Sequence, residues 1–321
     1  MKFEPCYVWP NEYFPFRVFF KNEKLTIFII EGIVHNFNWL NKYKNFINDK
    51  HFFFVSCPWY MSEFHAHHYN EMFEFLNLNK DNFFFLFNSN QEENFLKNKG
   101  FFGEVINQNC WINENLYKVC DNVIKKYNAI LIACKVAYKR HYLANKIKKL
   151  AILNEGWGDE KQLNYKMPEC DYQNKNNLSV EEIVLKINES YCGLFLSAED
   201  GSCGSSSECL LCGIPVVSTQ SVGGRDLWYN EYNSYVCESD EEDEVWEGVE
   251  YFLRNNRDPN KIRNDHIILA KEQRKKFINC LQKVFDNHQI DFDAKTYLNL
   301  NYFNKMLKSQ KPNFGEIFAK E

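Results

Sequence analysis

Excess positive charge is missing from this chain: 38 Lys and Arg stand against 43 Asp and Glu, a formal net charge of −5. A nucleic-acid partner held mainly by electrostatics is therefore not favoured, and only a local basic groove would keep that class open. No uncharged apolar run approaches the roughly 20 residues of a membrane span, so no transmembrane segment is expected. The opening residues MKFEPCYVWPNEYF lack the apolar stretch of a secretory signal. The 12 cysteines follow no disulfide framework, and most lie in apolar runs, where a free thiol behaves as a small hydrophobe. Short repeats and low-complexity linkers are also absent. Together these absences predict a soluble, cytoplasmic protein of a reducing compartment, with peripheral contact to a membrane left open.

What is present is apolar substance: 45% hydrophobic and 17% aromatic residues in 321, enough for a large core and for two domains. The runs LTIFII (25–30), HFFFVSC (51–57) and NFFFLF (82–87) are continuous rather than alternating, as in strands buried on both faces of a parallel sheet. EVIN (104–107) is a shorter fourth. Helix-like segments at 38–49, 62–77 and 89–99 separate them, and the first 24 residues suggest a hairpin or an edge. After QNCWINENLYK the pattern restarts. Strands are predicted at 129–134, 150–153, 192–197, 214–219 and 234–237, and helices at 138–149, 178–190, 206–212, 240–256 and 258–288, with a glycine-containing loop NEGWGDEK after the second strand. Ser179 and Glu182 form a capping-box pattern, and the acidic start of 240–256 suits a helix N-terminus. A β/α pattern written twice predicts an α/β protein of two doubly wound domains with a cleft between them.

The chemistry concentrates in SAEDGSCGSSSECLLCGIPVVSTQSVGGRD, residues 197–226. A strand ends, a small hydroxylated bend follows, and a helix begins, which is where open α/β sheets bind ligands. Small residues such as Gly201, Gly204, Ser205 and Ser206 admit a close backbone approach, and a helix start favours a phosphate. Glu208, expected in the first helical turn, can accept hydrogen bonds from a diol such as a ribose. Asp200 can do the same for a second polyol. Two polyol-binding carboxylates around a phosphate-binding helix start suit a nucleotide-sugar. The competing reading makes Glu208 a helix-dipole residue and Asp200 a loop cap.

The stretch resembles the donor-binding signature of retaining glycosyltransferases of the GT-B fold, in the large glycogen-synthase-like and sucrose-synthase-like group. Those enzymes carry an acid, seven residues, a Glu, and then a Gly-Ile/Val-Pro-Val-Val strand. Here the match is Asp200-Gly201, Glu208 and Gly213-Ile214-Pro215-Val216-Val217. The resemblance implies two Rossmann-like domains facing each other across a cleft. They would be an acceptor-binding domain at 1–113, a donor domain at 114–290, and a helical tail at 291–321 crossing back to the first. It implies that Glu208 binds the ribose, Asp200 the transferred sugar, and the helix start the diphosphate. The first acid departs from the family's Glu; Asp is a methylene shorter, and Glu199 beside it is a candidate to share the contact. The segment 106–117 is similar to the family's inter-domain hinge, with Cys110-Trp111 where Gly-Val is usual. AILIACKVAYKRHYLA (129–144) is similar to the first strand and helix of the donor domain, so Lys135, Lys139 and Arg140 are candidates for the donor phosphates. A cation there would stabilise the departing nucleoside diphosphate with no divalent metal and no cofactor. VGGRD (222–226) is similar to the family's glycine turn and adds Arg225, which could equally pair with an acid.

On the acceptor side, Glu31-Gly32 ends the first strand, and HAHHY places His65 and His68 at i, i+3. No further acid or histidine accompanies them at ligand spacing, so cleft lining or capping is preferred to zinc. Cys209 and Cys212 read as packing residues. The expected activity is transfer of a sugar from a nucleotide-diphospho-sugar to an acceptor hydroxyl of a glycan, lipid, protein or small molecule, with retention. The rivals are a sugar-phosphate enzyme of the same fold, a transferase acting on modified bases of viral DNA, and a non-catalytic nucleotide-sugar binder.

Overall fold

The structure is a computed structural model that describes residues 3–5, 16–154 and 158–301. The N-terminal stretch 6–15, part of the glycine-containing loop (155–157) and the tail beyond 301 lie outside the described residues. The chain divides into two compact units, Met1–Trp111 with Glu272–Glu321, and Ile112–Lys271. Residues 272–290, grouped by sequence with the donor domain, thus belong with the first unit.

The first unit is built on a five-stranded sheet: β1 (Phe16–Lys21), β2 (Thr26–Glu31), β3 (His51–Ser56), β4 (Phe83–Phe87) and β5 (Phe102–Val105), in that spatial order. β1 runs antiparallel to β2 as an edge hairpin, and the others are parallel. The phenylalanine runs explain the register. Phe28 pairs with Phe53 and Phe53 with Phe83, and their rings stack at 4.7 and 4.5 Å. On this face lie α1 (Phe37–Tyr43), α2 (Glu63–Leu76) and α3 (Asn90–Lys97), with Phe73 of α2 edge-on to Phe83. Side chains of alternate parity point to the opposite face. There Phe54 and Phe20 meet Phe277 and Phe285 from the C-terminal part of the chain, at 4.9 Å each. Both faces are therefore covered, which is why the strands carry continuous apolar runs. The helix expected over 38–49 stops at Tyr43 and continues as a 3-10 turn over Lys44–Phe46.

The second unit carries six strands: β6 (Tyr127–Ile132), β7 (Leu150–Leu153), β8 (Tyr172–Gln173), β9 (Ser190–Phe195), then β11 (Val216–Ser218) and β13 (Ser234–Val236). All pairs are parallel, in the order β13-β11-β9-β6-β7-β8. The order grows outward both ways from the β6–β9 pair, so the doubly wound reversal lies between their carboxyl ends. Two short strands, β10 (Glu199–Asp200) and β12 (Val222–Gly223), pair separately beyond β9 and β11. The helices are α4 (Val180–Asn188), α5 (Gly204–Leu211), α6 (Glu242–Arg254) and α7 (Pro259–Asn287), followed by α8 (Ala294–Asn301) in the first unit. α4 has both arms of its capping box: Ser179 Oγ accepts from Glu182 N and Glu182 accepts from Ser179 N. α8 is tied to β1 by the Tyr297 hydroxyl donating to the Phe19 carbonyl at 2.6 Å.

One expected helix does not form. Residues 138–149 make two 3-10 turns instead, Ala137–Lys139 and His141–Ala144, parted by Arg140 in the left-handed region at φ 50°. A non-glycine residue there interrupts helical geometry and re-aims its neighbours. No helix among the described residues is long and apolar enough to cross a membrane. The eleven described cysteines are free thiols, and Cys209 and Cys212 are fully buried.

Candidate functional site

The site grows from the ends of β6 and β9. Beyond β6 the chain turns through Lys139 and Arg140; beyond β9 it runs through Ser197 into β10 and then α5. Lys139 Nζ lies 2.5 Å from Asp200 Oδ1. The other carboxylate oxygen of Asp200 accepts from the Ser197 hydroxyl and from Arg225 Nη1, the latter at 3.2 Å. Arg225 also donates to the Ser197 hydroxyl and to the carbonyls of Ser197 and Thr219. Burial is the largest single influence and lowers the Lys139 pKa, but the charge of Asp200, its hydrogen bond and smaller contributions from Cys203 and Tyr138 together hold the ammonium above its ordinary value. The left-handed turn sends Arg140 elsewhere: its Nε donates to the Leu196 carbonyl, Nη2 to Thr219 Oγ1 and Nη1 to Asp240. Arg140 therefore staples the ends of β9 and β11 together.

The lip that presents Asp200 depends on one glycine. Gly223 pairs with Asp200 across β10 and β12, with φ 117°, and a Cβ there would sit 1.7 Å from the Asp200 carbonyl oxygen. No side chain fits that approach. At the start of α5, Gly204 is half-buried, and a Cβ there would meet nothing nearer than Ile112 Cδ1 at 3.9 Å, an ordinary contact. Gly201 is buried, and its carbonyl accepts from Gly224 N. Ser205 is half-buried on the first turn of the helix. Ser206 does not suit the phosphate role expected of it. Its backbone N–H donates to the Cys203 carbonyl, and its hydroxyl, fully buried, meets the Tyr229 hydroxyl at 2.9 Å.

Because α5 begins at Gly204, Glu208 stands one turn in rather than in the first turn. Burial pushes its pKa up, and a hydrogen bond from Tyr117 opposes that shift. Tyr117 comes from the segment read as a hinge. It is held there by Arg263 of α7, whose guanidinium donates to the carbonyls of Tyr117 and Leu211 at 2.6 Å each, and to that of Glu114. One arginine thus joins the segment before β6 to the end of α5. Lys135 bridges to Gly158, where a Cβ would clash with the Lys135 carbonyl at 2.5 Å. Glu199 precedes Asp200 on β10 and is exposed; strand alternation sends the two acids to opposite sides.

The structure therefore brings Lys139, Asp200 and Arg225 together and gives Arg140, Ser206 and Arg225 partners within the protein. Arg225, expected at the donor, is 1% exposed and stands behind Asp200. Sequence reasoning missed Ser197, Thr219, Tyr117 and Tyr229. Ser197 and Thr219 lay inside the singled-out stretch as strand-end hydroxyls, but no spacing rule links Tyr117 to Glu208.

The acceptor-side candidates lie in the first unit. Glu31 ends β2, and burial raises its pKa to about 7. Gly32 adopts φ 60°, and a Cβ there would meet His35 Nδ1 at 2.5 Å. His65 Nδ1 accepts from Ser62 N at 3.1 Å and sits 2.8 Å from the Ser62 hydroxyl, closing the capping box of α2. Its ring also lines a cavity of about 300 Å³ with His35, Trp59 and Tyr69. His68 stacks on Phe3 and approaches Glu71. Among the described residues no group of three or more His, Cys, Asp or Glu side chains is placed to hold a metal ion.

No protein-family model matches the sequence, and no curated protein matches it. Solved structures do match. HepE of Anabaena in complex with UDP superposes with a TM-score of 0.57 at 11% identity, over 79% of this chain and 78% of that one. A TarM mutant of S. aureus in complex with Fondaparinux, alpha-GlcNAc-glycerol and UDP gives 0.52 at 12% identity, over 88% and 55%. Sucrose-phosphate synthase of Thermosynechococcus elongatus gives 0.51 at 12% identity, over 91% and 74%. At such identities the likeness concerns architecture alone, and it agrees with the two parallel-sheet units described above. The chain has the GT-B fold, an α/β architecture of two Rossmann-like domains.

Proposed function

We propose that the protein is a glycosyltransferase that moves a sugar from a nucleotide-diphospho-sugar to an acceptor hydroxyl, with retention and without a metal ion. The observation that carries this reading is the meeting of Lys139, Asp200 and the small-residue start of α5 at the carboxyl ends of β6 and β9, where the strand order reverses. A diphosphate fits there because Gly204 leaves room for close approach and Lys139 supplies a cation. When the sugar–phosphate bond breaks, its electron pair leaves with the nucleoside diphosphate, and Lys139 stabilises that charge. Arg140 braces the loop that carries Lys139, and Lys135 lines the phosphate side. Asp200 and the Gly201 backbone take the transferred sugar, while Glu199 points to the other side of β10. Glu208 takes the ribose diol, held in place by Tyr117. Glu31, Gly32, His65 and His68 form the acceptor side in the first unit.

HepE and TarM were each solved with UDP, so UDP is the first nucleotide to test. Thermal shift with UDP-, GDP-, ADP- and CMP-sugars, repeated on Glu208→Ala, checks the donor site. One nucleotide series should stabilise the wild type, and the variant should respond at least tenfold more weakly. If no nucleotide stabilises the wild type, the donor-site reading is wrong. Release of nucleoside diphosphate on adding acceptor sugars then separates a transferase from a binder.

A further inference from the structure

Asp200 is shared among three donors in an ordered way. Side-chain exposure falls from 15% at Lys139 to 9% at Asp200 and 1% at Arg225. Arg225 and Ser197 hold Oδ2 from the protein side, and Lys139 holds Oδ1 from the solvent side. Arg225 is fixed by two backbone carbonyls as well as by Asp200. Lys139 makes no such backbone hydrogen bond with its side chain: its ammonium hydrogen-bonds Asp200 and lies 5.1 Å from the centre of the Tyr138 ring, with Cys203 and Cys134 nearby. Of the two cations, Lys139 alone stands on the side from which a ligand arrives and sits on a flexible stem.

We propose that Asp200 occupies Lys139 in the free protein as a stand-in for the donor diphosphate, and that the diphosphate displaces it. Lys139 then passes from Asp200 to the phosphate. Oδ1 becomes available to a sugar hydroxyl, while Arg225 and Ser197 keep the carboxylate in place. Sugar recognition by Asp200 thereby depends on the phosphates having bound first. The shortened acid serves this hand-over, since Asp, a methylene shorter than Glu, stays seated against the buried Arg225 after Lys139 leaves. The inference rests on the donor-site reading above.

Inorganic pyrophosphate, titrated calorimetrically into the full chain, isolates the hand-over from the choice of base. Asp200→Asn removes the competing charge, so pyrophosphate should bind about three- to fivefold more tightly, the equivalent of one partly buried ion pair released. Its affinity should also fall more steeply with salt than the wild type's. Asp200→Glu, which restores the charge, should return affinity to near the wild-type value. In a Lys139→Ala background the Asp200→Asn gain should vanish, a double-mutant coupling that a merely structural role would not produce. Equal or weaker binding by Asp200→Asn overturns the proposal, and so does a gain that persists without Lys139 or an absence of pyrophosphate binding in wild type and variant alike. Should Asp200→Asn not fold, Lys139→Ala alone decides: unchanged pyrophosphate affinity sinks the idea. Failure of the donor reading looks different, because pyrophosphate would still bind with this coupling while no nucleotide-sugar stabilises the protein.

Discussion

Gly223 shows how much can rest on a missing side chain. Its positive φ and its contact with the Asp200 carbonyl leave no room for a methyl group. Gly223→Ala should part β10 from β12, displace Asp200 and weaken nucleotide binding at least tenfold by calorimetry, with the second unit still folded by circular dichroism. Glu92 is a different kind of residue. It is fully buried at the first turn of α3, accepts from Asn88 N at 2.7 Å, and burial pushes its pKa from 4.5 up to about 8. The folded protein thus keeps this proton where the unfolded chain has released it. Stability is fullest below pH 4.5 as far as Glu92 is concerned and declines as pH rises from there to about 8, by up to about 1.4 kcal/mol per pH unit. Glu31, raised to about 7, acts in the same sense. Glu92→Gln should flatten the slope of urea-unfolding stability between pH 5 and pH 8 and be more stable than wild type at the upper end. An unchanged slope would show that Glu92 is ionised when folded.

The elements were legible in unequal measure. β2, β3 and β4 could be read because their apolar runs are continuous, and burial on both faces is the physical cause. Phe53 stands at the centre, stacked between Phe28 and Phe83. Phe53→Ala should cost about 3–5 kcal/mol by denaturant unfolding, the usual effect of emptying an aromatic site in a close-packed core. α5 starts two residues before the sequence pattern predicts, because Gly204 and Ser205 have poor helix propensity and tertiary packing draws them into the helix. The segment after β6 has a helical pattern but folds as two 3-10 turns. Its apolar and basic residues repeat at helical spacing, but Arg140 turns left-handed so that its guanidinium can reach Leu196, Thr219 and Asp240. Those partners lie 56, 79 and 100 residues away, beyond any local pattern.

In the whole molecule, the second face of the first sheet is closed by chain that arrives last. The boundary between units falls inside α7, and the residues beyond it bring Phe277, Phe285 and Tyr297 onto β1 and β3. A chain ending at Lys271 should leave Phe20 and Phe54 uncovered. Limited proteolysis should then cut within the first unit while 112–271 resists; equal resistance of both would mean that the C-terminal residues do not support that sheet. The amino-acid order was enough for the α/β class, the two-fold repetition of the pattern, and the strand–bend–helix stretch that carries the two acids. These depend on local periodicity and spacing, which sequence carries directly. The contacts within the stretch were decided by folding. That Arg225 stands behind Asp200, that Ser206 is bonded to Tyr229, and that Tyr117 orients Glu208 through Arg263 follow from contacts between residues far apart in the chain, and long-range contacts leave no period to read.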